Sequence, residues 1–213
     1  MKPGQLSGDV GSLIVRALLD FRTLWTTHDL VTTTGVPVQS IRRTINGLER
    51  DGLVERRAPG VVAVPSWFAL LRRWNDDVRF NRDARVTYWR SKQGTQSVLD
   101  HIPTTELRHA VTGSHAARVW APDTPPGATV IYTPDAQLAA AVLELIPART
   151  KTIVLAEPPT EVVYTRTRKT NTGLRLAAPT QVLADLITGA AKSPTAANPL
   201  LTWMLDHELE WRY

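Results

Sequence analysis

The sequence predicts two domains of different architecture, an α+β domain followed by an α/β domain. Charge supports the division, because residues 1–92 contain 15 basic and 9 acidic side chains (+6) whereas residues 93–213 contain 10 and 11 (−1). The pattern of predicted elements also changes, from helices and a hairpin in the first part to alternating strands and helices in the second. A length of 213 residues suffices for two small domains.

The first domain is predicted to consist of helices followed by a β-hairpin. Thr26-Thr27 can accept the free N–H groups of a helix start, and Pro37 suits the first turn of the next helix. Ala58-Pro59-Gly60 separates two β-prone runs, which predicts the hairpin. The predicted helices cover residues 12–20, 26–34 and 38–51, and the predicted strands cover 53–57 and 61–64. This order is typical of a winged helix-turn-helix, which we assign to residues 1–66.

The third predicted helix has one apolar and one polar side. Val38, Ile41, Ile45 and Leu48 share the side that we expect to be buried. The opposite side contains arginine and amide side chains but no carboxylate. Arginine can pair with the O6 and N7 atoms of guanine, and Asn or Gln with adenine. Two wing arginines can meet phosphates or the minor groove. The residues predicted to contact duplex DNA are Gln39, Ser40, Arg42, Arg43, Asn46, Arg50, Arg56 and Arg57.

Asn46-Gly47 is a local signal against this helix, since the dipeptide favours a two-residue hairpin turn. The flanking apolar residues recur at three- and four-residue spacing, so the helix is the better interpretation. Gly47 is then expected beside the polar side of the helix. There it can allow the backbone to approach DNA closely, or it can be a mild helix defect.

Residues 67–103 mix cationic with aromatic side chains. Such a mixture is found on nucleic-acid-binding surfaces and also in connectors whose long side chains lie along apolar surface, and we favour a basic-aromatic connector. The cations are Arg72, Arg73, Arg79, Arg82, Arg85, Arg90 and Lys92, and the aromatic residues are Trp67, Phe68, Trp74, Phe80, Tyr88 and Trp89.

Residues 104–213 are predicted to form the second domain around a mixed sheet. The predicted strands cover residues 108–112, 128–132, 152–156 and 161–165. The predicted helices cover residues 114–119, 180–187 and 199–208. A further helix is predicted to follow a cap at residues 133–135 and to run through Leu145.

Three segments of the sequence match a known family: residues 26–30 through 51–54 in the first domain, and 110–117 (Ala-Val-Thr-Gly-Ser-His-Ala-Ala) and 178–186 (Ala-Pro-Thr-Gln-Val-Leu-Ala-Asp-Leu) in the second. With these segments the chain resembles the AbiEi family of bacterial type IV antitoxins over nearly its whole length. The resemblance implies a repressor that binds its own operator and an antitoxin that counteracts a nucleotidyltransferase-like toxin.

A second basic patch, Arg166, Arg168 and Lys169, is expected in the turn after residue 165. It can contact toxin, operator flank or another polyanion, or be a solvated hairpin tip.

The antitoxin domain of that family is similar to nucleotidyltransferases, which place a Gly-Ser turn before a strand with paired carboxylates because two metal ions need anionic ligands. Gly113-Ser114 fits the turn, but the next predicted strand contains no Asp or Glu. We therefore predict no catalytic residues, metal site or cofactor. Two alternatives stay open: a stand-alone transcription factor with a ligand-sensing or dimerising second domain, and a transferase or kinase that acts on a toxin.

Cysteine is absent, the N-terminal residues lack a signal-peptide core, and no apolar run approaches the roughly 20 residues of a membrane span. We therefore expect a cytoplasmic protein without a membrane partner.

Overall fold

The computed structural model describes residues 6, 8–77, 84–150, 152–189 and 191–213. It confirms a mixed α/β protein that contains a mixed sheet. The chain divides into two compact units, Met1–Arg79 together with His207–Tyr213, and Phe80–Asp206. We call these the first and the second unit and describe each by itself. None of the helices in the described ranges combines the length and the apolar character that crossing a membrane requires.

The first unit combines helices with a small antiparallel sheet of strand order β1-β3-β2. Trp25 in β1 lies opposite Val62 in β3, and Arg56 in β2 lies opposite the same residue from the other side. In chain order the elements are α1 (Asp9–Asp20), β1 (Trp25–Thr26), α2 (Thr27–Thr34), α3 (Val38–Arg50), β2 (Glu55–Ala58), β3 (Val61–Ala63) and α4 (Trp67–Asp77).

Residues from the end of the sequence complete the first unit. A short helix, which we number α10 (Glu208–Trp211), brings Trp211 against Trp67 with their ring centroids 4.9 Å apart. The buried guanidinium of Arg212 donates hydrogen bonds to the carbonyl oxygens of Leu18, Leu19 and Phe21. These carbonyls lie at the C-terminal end of α1, where backbone acceptors lack helical partners and a cation is favourable. Arg212 therefore caps the C-terminal end of α1.

The second unit is built on a seven-stranded sheet of order β7-β4-β8-β6-β5-β10-β9. The pairs β6–β8 and β5–β10 are parallel, and the others are antiparallel. Its strands are β4 (Arg85–Arg90), β5 (Ala110–Thr112), β6 (Thr129–Tyr132), β7 (Ile146–Pro147), β8 (Ile153–Glu157), β9 (Arg168–Lys169) and β10 (Arg175–Leu176). Its α-helices are α5 (Thr95–His101), α6 (Gly113–Trp120), α7 (Ala136–Val142), α8 (Pro179–Thr188) and α9 (Pro194–Asp206).

A buried polar cluster connects α8 to the centre of this sheet. The carboxylate of Asp185, which is fully buried, accepts hydrogen bonds from Thr112 Oγ1 at 2.6 Å, Tyr132 OH at 2.9 Å and Gln181 Nε2 at 2.9 Å. Burial and the adjacent Asp185 raise the pKa of the Tyr132 hydroxyl, so that it stays a donor. The cluster joins β5, β6 and α8 without leaving these polar atoms unpaired.

The segment 67–103 differs from the expected connector. It supplies α4 to the first unit, and it supplies β4 and α5 to the second. Each unit needs these residues, because Trp74 is fully buried in α4 and every residue of 85–89 in β4 has a partner in β8. Residues 78–83, which include Arg79, Phe80 and Arg82, lie outside the described residues.

Three predicted elements of the second unit are wrong in type or extent. The segment predicted as a strand over 161–165 forms a 3-10 helix (Glu161–Tyr164) instead, which is closed by a hydrogen bond from the Thr165 N–H to the carbonyl of Val162. The last long helix begins at Pro194 instead of Pro199, and it buries Leu200 and Met204. The helix expected to run through Leu145 ends at Val142, since Glu144 adopts a positive φ of 51°.

Candidate nucleic-acid interface

The turn between α2 and α3 sets the start of α3. Gly35 adopts the left-handed conformation (φ 68°) and donates its N–H to Val31 O, which ends α2. Val36 is buried, and the carbonyl of Pro37 accepts the N–H groups of Ser40 and Ile41. The chain thus ends α2 and begins α3 within three residues. A capping box between Thr26 and Asp29 begins α2, as the Thr-Thr sequence predicts.

The buried side of α3 holds the helix against the rest of the first unit. Ile41, Ile45 and Leu48 are buried, as predicted. Val38 is 40% exposed, which contradicts the prediction, because it is the first residue of the helix and extends beyond the packed surface. Gly47 is also buried, so its backbone is not open to close approach.

A stripe of polar side chains follows the exposed side of α3. Gln39, Arg43, Asn46 and Arg50 are all exposed, and their spacing of four, three and four residues places them on one line along the helix. Arg50 donates from Nε to the carbonyl oxygen of Asn46 at 3.2 Å, which directs its side chain along the stripe. Ser40 is half-buried at the edge of this surface.

Arg42 lies on the side of α3 that faces the hairpin. It lines a cleft of about 270 Å³ together with Asn46, Arg56 and Gly60. The cleft is bounded by α2, α3 and the β2–β3 hairpin, so its walls bring the helix and the hairpin tip together on one surface.

Both arginines of the hairpin form ion pairs that were not predicted from the sequence. Arg56 donates from Nε to Glu49 Oε1 at 3.1 Å and from Nη2 to Glu49 Oε2 at 2.7 Å. Arg57 pairs with Glu55 at 2.6 Å and lies at a β-bulge between Arg56 and Ala58. The hydrogen bond with Arg56 lowers the pKa of Glu49, and it raises the pKa of Arg56. No sequence pattern signals a pair between the end of a helix and the following strand.

The surface retains a positive charge after these pairs are counted. Arg42, Arg43 and Arg50 take part in none of the ion pairs between described residues. Five arginines on α3 and the hairpin face two carboxylates, Glu49 and Glu55, which leaves +3. Glu49 adjoins the stripe, but Arg56 neutralises it.

The second basic patch is not a hairpin tip. Arg168 and Lys169 form β9, and the turn of the hairpin follows them, with hydrogen bonds between residues 170 and 174. Arg166 has a φ of 52° and is half-buried, as is Arg168, whereas Lys169 is exposed. Lys169 instead lines a cavity with two arginines from outside the predicted patch, Arg108 and Arg175.

Gly113-Ser114 begins α6, and Gly113 has a φ of 74°. Within the described ranges, no three His, Cys, Asp or Glu side chains are grouped so that they could hold a metal ion.

No family model, curated protein or solved structure matches this chain.

Proposed function

We propose that the first unit is a winged helix-turn-helix that binds duplex DNA, with α3 in the major groove. On this proposal the protein is a transcriptional repressor that binds its own operator. It is also the antitoxin of a toxin-antitoxin operon and counteracts a nucleotidyltransferase-like toxin. The observation that carries the DNA-binding proposal is the exposed stripe of Gln39, Arg43, Asn46 and Arg50 on a helix whose other side is buried.

The order of elements supports the winged-helix assignment. Helix, short strand, two helices and a hairpin follow one another, and the strand between the first two helices pairs with the far strand of the hairpin. This pairing fixes the hairpin beside α3. An α-helix is about 10–12 Å wide with its side chains, which matches the major groove of B-DNA at about 12 Å.

The side chains suit both parts of recognition. Arg43 and Asn46 lie at the middle of the stripe, where bidentate contacts to guanine and adenine would distinguish bases by roughly 1–3 kcal/mol each. Arg42 lies to one side, where it would contact phosphates and set the register of the complex, and the hairpin arginines would join it once released from their carboxylate partners. The +3 balance of this surface would steer the approach to DNA and make affinity depend on salt.

Fluorescence anisotropy with the region upstream of the protein's own gene tests DNA binding. We expect Arg43→Ala and Asn46→Ala each to weaken specific binding by about tenfold or more, the loss of one bidentate base contact. Arg72→Ala is the matched control, since it removes an exposed arginine from α4 in the same unit. Unchanged affinity in both α3 variants would refute the assignment of α3, as would an equal loss in the control.

The antitoxin role is tested separately with the full chain. Co-expression with the toxin encoded beside the gene should restore growth, and Arg43→Ala should restore it equally while losing repression of an operator-reporter fusion. The resemblance to AbiEi antitoxins supports this role. Failure of the wild-type chain to restore growth would remove the antitoxin proposal and leave the DNA-binding proposal intact.

A second candidate function is a transcription factor whose second unit senses a ligand. The specific observation in its favour is a cavity of about 680 Å³ in the second unit, within the usual size range of small-molecule sites. An effector that changed operator affinity without any effect on a toxin would favour this candidate.

A further inference from the structure

The cavity of about 680 Å³ lies at one edge of the second unit, beside the β9–β10 hairpin. The segment before β5 and the end of the 3-10 helix Glu161–Tyr164 provide its other walls. Its lining is polar, with cationic and hydroxyl groups from Arg108, Tyr164, Thr167, Lys169, Thr172 and Arg175. Such a lining favours a hydrophilic ligand over an apolar one.

Two cations face each other in this lining. Lys169 in β9 and Arg175 in β10 are directly opposite partners in the antiparallel pair, and both are exposed. Like charges directly opposite each other destabilise a strand pair. Neither residue takes part in an ion pair between described residues. A bound anion would remove this repulsion.

Other contacts hold the cationic groups in position. The guanidinium of Arg108 lies 4.2 Å from the centroid of the Tyr164 ring and pairs with Glu161. His109 is a buried member of the lining, where its Nδ1 donates to Leu107 O at 2.9 Å and its Nε2 accepts the backbone N–H of Arg175 at 3.4 Å. The histidine therefore fixes the backbone from which Arg175 extends.

We propose that this cavity binds a phosphate monoester, carried either by a free nucleotide or by the end of a nucleic-acid strand. A phosphate monoester carries about −1.5 to −2 charges at pH 7, which matches the pair Lys169 and Arg175, whereas a carboxylate carries one. Arginine and lysine beside threonine hydroxyls supply the donors that phosphate oxygens accept. Glu106 also lines the cavity. Its carboxylate repels further anionic groups, so the cavity favours a single phosphate group over a polyanion.

Isothermal titration calorimetry on the full chain tests the proposal. The probes are a nucleoside 5′-monophosphate, the nucleoside alone, and a single-stranded tetranucleotide with and without a 5′-phosphate. The Arg43→Ala background lowers the contribution of α3 by the tenfold expected above. We expect saturable binding only of the phosphorylated probes. Lys169→Gln and Arg175→Gln should each weaken it by about tenfold, the loss of one hydrogen bond to a charged group. Tighter binding of the phosphorylated tetranucleotide than of the mononucleotide would identify the source as a strand end, and the reverse would identify a free nucleotide.

The matched control is Arg118→Gln, an exposed arginine of α6 outside the cavity, which should bind like the parent chain. A thermal melt without ligand gives a second measurement: both cavity variants should melt at or above the temperature of the parent, because each removes the like-charge pair. No saturable binding of either phosphorylated probe would overturn the proposal. Equal weakening by Arg118→Gln would overturn it too, as would a lower melting temperature in both cavity variants.

Discussion

The Glu49→Gln variant tests how the hairpin participates in the proposed DNA binding. In the structure the Glu49 carboxylate holds Arg56 through two hydrogen bonds, at 3.1 and 2.7 Å. Arg56 lowers the pKa of Glu49, so the pair is fully ionised at neutral pH. Glutamine removes the negative charge beside the stripe and releases the guanidinium. Exposed ion pairs contribute little to stability, so the fold should not change.

The released guanidinium can contact one additional phosphate. Each phosphate contact releases about 0.9 counterion, and affinity then depends on salt concentration with that exponent. We take the electrostatic contribution of one contact as zero at 1 M salt. At about 0.15 M salt the exponent of 0.9 then corresponds to roughly fivefold tighter binding. We therefore expect Glu49→Gln to bind operator DNA about fivefold more tightly, with a salt slope steeper by about 0.9.

Anisotropy titrations at four or five salt concentrations measure both quantities. Asp76→Asn is the control for net charge, because Asp76 is an exposed carboxylate of α4 in the same unit. The double variant Glu49→Gln with Arg56→Gln should return close to the affinity of the wild type. Weaker binding by Glu49→Gln, or an unchanged salt slope, would show that the pair positions the hairpin and that Arg56 does not reach phosphate.

Three further predictions concern stability. Asp185→Ala should lower the free energy of unfolding by roughly 3–6 kcal/mol in urea titrations, because three buried donors lose their acceptor; a loss under about 1 kcal/mol would contradict the role of the cluster. Burial lowers the pKa of His109, so stability should be present above about pH 6.5 and fall as the pH drops toward the folded-state pKa; His109→Gln should show a smaller fall, and an identical profile would exclude this histidine as a cause. Arg212→Ala should destabilise the first unit by roughly 2–4 kcal/mol in a thermal melt, because three carbonyls at the end of α1 lose their donor, and an unchanged melt would refute the capping role.

The regular elements could be predicted where apolar residues repeat over several turns. The bounds of α3 differ from the predicted range by a single residue, because its apolar residues repeat at helical spacing over three turns. The same periodicity did not predict the exposure of Val38 or the burial of Gly47. A helical wheel gives the direction of each side chain but not the extent of the surface that packs against the helix. The 3-10 helix Glu161–Tyr164 was missed because its β-branched residues favour strands only where a neighbouring strand is present.

The second candidate site shows why side-chain clusters are harder to predict. The predicted basic patch combined Arg166, Arg168 and Lys169 because they are close together in the chain. Alternation along β9 separates Arg168 from Lys169, and pairing with β10 brings Arg175 opposite Lys169. A site of this kind depends on which residues of two neighbouring strands lie opposite each other. Strands of only two residues contain too short a pattern to predict that register.

The capping of α1 by Arg212 gives the first unit an unusual dependence on the rest of the chain. Its final segment, His207–Tyr213, is encoded after the whole second unit. During synthesis the proposed DNA-binding surface therefore waits for about 130 later residues before its first helix is capped, at the usual elongation rate a delay of roughly 6–25 s. A nonsense mutation just before residue 207 would weaken operator binding although every proposed contact residue is still translated.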